Sequence, residues 1–211
     1  MKNYDLNKIF VEGKSDKLFI DFILKSFFDI EDNNLVIDVK GKDKLIDQPL
    51  LTDTKRKVEK AKNIIIFDTD STKINGGRKQ RLEDLDKVEK ELNVEFKIFL
   101  LPFDDDTEGI LENLLDNCVN NNFKFFDNCW NEMLECIKKS NYEKLNIPAQ
   151  KGFLYSKIDL FKNYRSTNWD YKGATVYDYS DKNIWNIDPE NNKKLKKLID
   201  FINDNLFNII Q

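Results

Sequence analysis

The chain contains no histidine. That excludes Ser-His-Asp and Cys-His catalytic pairs and any imidazole-ligated zinc site, so chemistry must rest on carboxylates, Lys, Tyr or a bound metal. Cysteine is scarce as well. Cys118, Cys129 and Cys136 are odd in number and lie in a helical-looking stretch without metal-ligand spacing, which leads us to expect reduced, partly buried thiols. No apolar run approaches the roughly 20 residues needed to cross a bilayer. The opening Met1-Lys2-Asn3-Tyr4-Asp5 leads into polar sequence instead of a signal-peptide apolar region. A cytoplasmic protein without membrane contact is the expectation. Internal repeats and low-complexity linkers are lacking too.

What is present is enough to fold. A chain of 211 residues suits one domain with a core, or one domain plus a small appendage. Hydrophobic residues at 40% and sixteen Phe place it among globular proteins despite 34% charged residues. The net charge of −4 provides no global attraction to nucleic acid. That sum conceals local basic clusters and would be offset by bound divalent cations.

Hydrophobic periodicity alternates between strand and helix up to Pro102. Lys8 to Val11 reads as a short buried strand, and Gly13 to Phe28 as a helix with Leu18, Phe19, Phe22, Ile23 and Phe27 on its apolar face. Leu35 to Val39 reads as a second strand. Pro49 breaks the segment that follows, and Thr54 to Ala61 looks helical. Asn63 to Phe67 is the strongest strand, with consecutive β-favouring residues that signal burial on both faces and hence a parallel sheet. A basic Gly-containing loop from Ser71 to Arg78 precedes a helix over Arg81 to Asn93 and a strand over Phe96 to Leu101. This order predicts an α/β fold: a Rossmann-like, mostly parallel four-stranded sheet flanked by helices over residues 1–117. Residues 118–211 are expected to form a mainly helical C-terminal extension packing on that core. Its elements are a helix at Phe123 to Lys139, a loop and helix within Asn146 to Tyr164, a short strand at Thr175 to Tyr177 and a terminal helix from Asn192 to Ile209.

Two acidic motifs end apolar strands: Val11-Glu12-Gly13-Lys14-Ser15-Asp16 and Ile66-Phe67-Asp68-Thr69-Asp70. In open α/β sheets such strand ends point into the ligand-binding crevice. Carboxylates gathered there repel one another unless a cation joins them, and their hard oxygens suit Mg2+ or Mn2+. Asp68 and Asp70 share a face only if the backbone between them stays extended. Gly13 lets the backbone approach a substrate phosphate at the helix start, with Lys14 and Arg78 as further phosphate-holding candidates. Asp16 read as a plain helix N-terminal charge is the bland alternative. Asp104, Asp105 and Asp106 read better as a solvated turn than as ligands. Trp169, Tyr171, Tyr177 and Tyr179 read better as packing residues than as base-stacking platforms.

The two motifs, in this order and strand context, resemble the Toprim domain over about residues 6 to 117, and the Glu12 to Asp16 stretch looks most like its nuclease branch. Leu101-Pro102 followed by Gly109-Ile110-Leu111-Glu112-Asn113-Leu114-Leu115 resembles the continuation in small stand-alone bacterial Toprim proteins. The resemblance implies a magnesium-dependent phosphodiesterase cleaving DNA or RNA, in phage defence or nucleic-acid repair. It implies metal ligation by Glu12, Asp16, Asp68, Asp70 and Glu112, with Glu12 also a general base and Lys151 a catalytic cation. It departs from the family pattern at Thr72, where many members carry a third acidic residue. One alternative is a non-catalytic binding or regulatory module serving a partner protein such as a separate ATPase. Another is a small-molecule phosphohydrolase in which Asp68 is a nucleophile.

Overall fold

A computed structural model describes residues 6–140, 142, 144, 145, 147–160 and 178–207. The chain divides into two compact units, residues 1–114 with 189–211, and residues 115–188.

The first unit holds four parallel strands: β1 (Lys8–Val11), β2 (Val36–Asp38), β3 (Asn63–Asp68) and β4 (Phe96–Leu101), in the order β2-β1-β3-β4. The expected α/β fold is thus present, with the sheet entirely parallel. The strands run apolar because both faces are covered. On one face Phe10, Ile65, Phe67 and Leu100 share a core cluster with Val39, Leu45, Leu51 and Leu85. On the other, Phe99 of β4 meets Phe201 at 5.3 Å between ring centroids.

Among the helices, α1 (Lys14–Phe28) buries Phe19, Ile20, Ile23 and Leu24. This stripe is rotated from the expected one, leaving Leu18, Phe22 and Phe27 half-buried. Pro49 does split its region, into α2 (Pro49–Thr52) and α3 (Thr54–Val58). The next helix, α4 (Arg78–Leu92), begins three residues before the expected start and converts Arg78 from a loop residue into a helical one. α5 (Leu111–Asp116) follows the acidic loop.

The amino-terminal pole of the sheet is fastened by Arg56. Its guanidinium donates to the carbonyls of Leu6, Leu50 and Lys62 and to Asn63 Oδ1, so a buried cation is satisfied without a carboxylate.

In the second unit, α6 (Lys124–Lys139) and α7 (Gln150–Ile158) are joined by a ring cluster of Phe126, Trp130 and Phe153. The buried Lys157 ammonium lies 2.8 Å from Asp116 and 2.7 Å from Asp127. Tyr179 is buried against Trp185, a packing role, whereas Trp169, Tyr171, Tyr177 and the expected strand at 175–177 lie outside the described residues. Cys118 is buried, and Cys129 and Cys136 are exposed; all three are free thiols.

The final helix, α8 (Lys193–Leu206), belongs to the first unit. Besides Phe201, its Leu206 carbonyl accepts from Asn7, and Lys197 pairs with Asp105 at 2.5 Å. Among the described residues no helix is long and apolar enough to cross a membrane.

Candidate functional site

Strand order locates the site. In β2-β1-β3-β4 the chain moves one way from β1 to β2 and the other way from β3 to β4, so the topological switch lies between β1 and β3. Val11 pairs with Ile66, which brings Glu12, just past β1, level with Phe67 and one residue short of Asp68 at the end of β3. Both motifs therefore open into the crevice that the parallel arrangement creates.

Burial and mutual repulsion shape the carboxylates. Glu12 Oε1 is buried without a hydrogen bond. Its pKa is raised to about 7, chiefly by burial, with the charges of Asp70 and Asp16 adding to the rise and Arg81 opposing it. Asp68 is pushed well above the ordinary carboxylate range by burial and then by Asp16, Glu12 and Glu112, against one opposing contact, the Leu111 N–H donated to its Oδ1 at 2.8 Å. Glu112 lies on α5 and is only 3% exposed. All five expected ligands are thereby linked electrostatically: Asp16, Glu12 and Glu112 act on Asp68, and Asp70 and Asp16 act on Glu12.

Asp70 departs from the extended path. Its φ of 61° is left-handed, and it exchanges backbone hydrogen bonds with Gly109 across a bridge. The turn aims its carboxylate at cations: Oδ2 lies 2.5 Å from the Arg81 guanidinium and 3.5 Å from Lys42 Nζ. Arg81 also donates from Nε to the Asp68 carbonyl at 3.0 Å and sits 3.6 Å from Glu12 Oε1, with its side chain only 2% exposed.

Gly109 is required here by both backbone and space. At its φ of +145° a Cβ would also fall 2.6 Å from Pro102 Cδ. Gly109→Ala is expected to lower stability by about 1–3 kcal/mol, read from the denaturant midpoint. An unchanged midpoint would contradict this packing.

The remaining expected site residues fall as follows. Asp16 Oδ2 accepts the Gly13 N–H at 2.9 Å, so that amide already serves a helix cap. Lys14 is exposed in the first turn of α1. Arg78 pairs with Asp104 at 3.5 Å, while Asp104 itself accepts the Leu100 N–H, a role beyond a solvated turn. Lys151 lies in the second unit, exposed in the first turn of α7. At the departure from the family pattern, the Thr72 amide and hydroxyl both donate to Glu108 Oε2, at 2.9 and 3.1 Å.

Sequence reasoning missed Lys42 and Arg81. A signal for Arg81 existed, because it continues the inward stripe of Leu85, Val88 and Leu92 at helical spacing.

A pH dependence follows. Glu12 has a folded-state pKa above its unfolded value of 4.5, so its contribution is fully present below that pH and is lost as pH rises to about 7. With EDTA present, the wild type should lose on the order of 3 kcal/mol more than Glu12→Gln over this interval. Parallel melting curves for the two proteins would remove Glu12 as the cause.

The fold and site define a class: an all-parallel α/β protein whose topological switch carries a cluster of repelling carboxylates with one buried arginine among them. Residues 6–204 match the family described as "Protein of unknown function (DUF3226)", and the chain belongs to that family. No curated protein and no solved structure matches the chain. Among the described residues no group of three or more Cys, Asp or Glu is arranged to hold a metal ion.

Proposed function

We propose that the protein is a divalent-metal-dependent phosphodiesterase of Toprim type acting on DNA or RNA in the cytoplasm, with Asp68 at the centre of its metal site. The observation that carries this reading is the mutual repulsion of Glu12, Asp16, Asp68 and Glu112 at the switch-point crevice. Their donor set is all hard oxygen, and the buried Glu12 Oε1 lacks a hydrogen bond, so the chemistry fits Mg2+ or Mn2+.

A bound divalent ion would supply charge stabilisation for the phosphoryl oxygens and ease deprotonation of water. The chain's own groups do the rest. Glu12, whose Oε1 is buried without a hydrogen bond, would take the proton from the attacking water. Lys42, partly exposed at the rim, can hold a substrate phosphate. A cavity of about 260 Å³ beside Lys42 and Arg81 is lined by apolar Leu45, Phe67 and Leu85 and by charges of both signs, Lys87 with Asp43, Asp84 and Glu91. Lys151 remains a candidate cation on the strength of the sequence resemblance alone.

The test is incubation of the purified protein with single- and double-stranded DNA and RNA in Mg2+ or Mn2+, with EDTA as control. Metal-dependent cleavage is expected. Absence of cleavage across all substrates and both metals would overturn the reading. It would favour the second one, a non-catalytic binding module partnered by a separate protein such as an ATPase. That alternative is supported by Arg81, which already neutralises part of the cluster.

A further inference from the structure

A two-cation site would need both halves of the acidic cluster available to metal, and here the halves differ. On the Asp68 side the charges that act on the carboxyl group, those of Asp16, Glu12 and Glu112, are all negative. On the Asp70 side Oδ2 already faces two positive groups, Arg81 at 2.5 Å and Lys42 at 3.5 Å. A divalent ion placed on Asp70 would sit beside both of those cations, at a greater cost in like-charge repulsion than an ion on Asp68.

Nor is Arg81 a surface side chain that swings aside. It is 2% exposed, its Nε is tied to the Asp68 carbonyl, and its own amide donates to Gly77 O at 3.0 Å in the first turn of α4. The Gly77 amide in turn donates to Thr69 O at 2.8 Å, which ties the start of α4 to the strand end that carries Asp68 and Asp70. Asp70 is held as firmly, by its left-handed turn, by the Gly109 bridge, and by Gly76, where an added Cβ would lie 2.6 Å from Asp70 Cβ.

We infer that Arg81 permanently occupies one of two cation positions, so that the site takes a single divalent ion on the Asp68 side and Asp70 is a positioning residue for Arg81, not a metal ligand. The inference rests on the metal-site reading above. It deepens that reading by fixing the ion count and by assigning charge neutralisation at the Glu12–Asp70 edge to a guanidinium.

The test is Mn2+ titration followed by electron paramagnetic resonance of the free ion, with thermal melts to establish folding, on wild type, Asp68→Asn, Asp70→Asn and Arg81→Gln. One Mn2+ per wild-type chain is expected. Asp70→Asn should keep it with affinity changed by no more than about threefold, and Asp68→Asn should weaken it by about tenfold or more. Arg81→Gln should admit a second ion. Should that variant fail to fold, wild type and Asp70→Asn decide the matter, because neither disturbs the buried stem of Arg81. Two ions in the wild type, loss of the ion in Asp70→Asn, or a folded Arg81→Gln that still binds one would overturn the inference and leave the metal reading standing. No Mn2+ bound by the wild type would overturn the metal reading, and this inference with it.

Discussion

Asp68→Asn is expected to abolish metal-dependent cleavage, by on the order of a thousandfold, and at the same time to raise the melting temperature of the metal-free protein. The two effects share one cause. Asp68 is enclosed among Asp16, Glu12 and Glu112, and burial plus their charges hold its pKa far above the ordinary carboxylate range. In the folded state at neutral pH the group must either carry a proton or tolerate three negative neighbours, and the unfolded chain imposes neither cost. Asparagine preserves shape and the acceptor for the Leu111 N–H, so the packing of β3 against the start of α5 is retained while the repulsion disappears. A gain of several degrees in EDTA is the expected size for a chain of this length. Adding Mg2+ should stabilise the wild type and leave the variant unmoved. A variant that melts lower than wild type in EDTA would show that Asp68 is a structural acceptor first, and retained cleavage would remove it from the chemistry.

Such an inversion, function lost and stability gained, distinguishes a carboxylate held for a ligand from one held for the fold. Glu108 illustrates the second kind. It is exposed, accepts hydrogen bonds from Ser71 and Thr72, and its pKa is lowered by them, so replacing it would relieve nothing.

Much of this was legible in the sequence, for identifiable reasons. The runs Ile9-Phe10-Val11 and Ile64-Ile65-Ile66-Phe67 are apolar on both faces, which in a chain of alternating elements admits only a covered parallel strand, and the acidic residue that ends each run marks the crevice. Glu112 entered only through the family resemblance of the stretch from Gly109 to Leu115, and its burial on α5 is a finding of the structure. What periodicity does not carry is the path of the backbone between elements. The left-handed turn at Asp70 arises from its bridge to Gly109, a residue 39 positions away, and nothing local to Asp68-Thr69-Asp70 announces it. α8 shows the same limit. Leu195, Leu198, Ile199 and Ile202 declare a helix with one apolar face, but it takes contacts such as that between Phe201 and Phe99 to reveal that the helix packs on the sheet. For α1, several aromatic residues made more than one stripe plausible, and the buried one centres on Phe19, Ile20, Ile23 and Leu24.

Arg81→Met should be the most destabilising single replacement in the site, costing about 3–5 kcal/mol. Methionine matches the stem of the side chain, so the loss is one of charge more than of volume. Removing the guanidinium strips Asp70 of its 2.5 Å partner and Glu12 of its nearest cation, and leaves Lys42, 3.5 Å away and partly exposed, as the remaining positive neighbour. It also takes the Nε donor from the Asp68 carbonyl. If the cost is that of uncompensated carboxylates, a second change that removes one of them must restore part of it. Arg81→Met with Asp70→Asn is therefore expected to recover about 1–3 kcal/mol relative to Arg81→Met alone. Chemical denaturation of the four proteins of this cycle, in EDTA and at constant pH, measures the coupling directly. Additive single changes would mean that Arg81 and Asp70 are neighbours without being partners. A coupling that vanishes in saturating Mg2+ would mean instead that a divalent ion can take the place of the guanidinium, which ties the stability of this edge to the same electrostatic demand that makes the cluster a site.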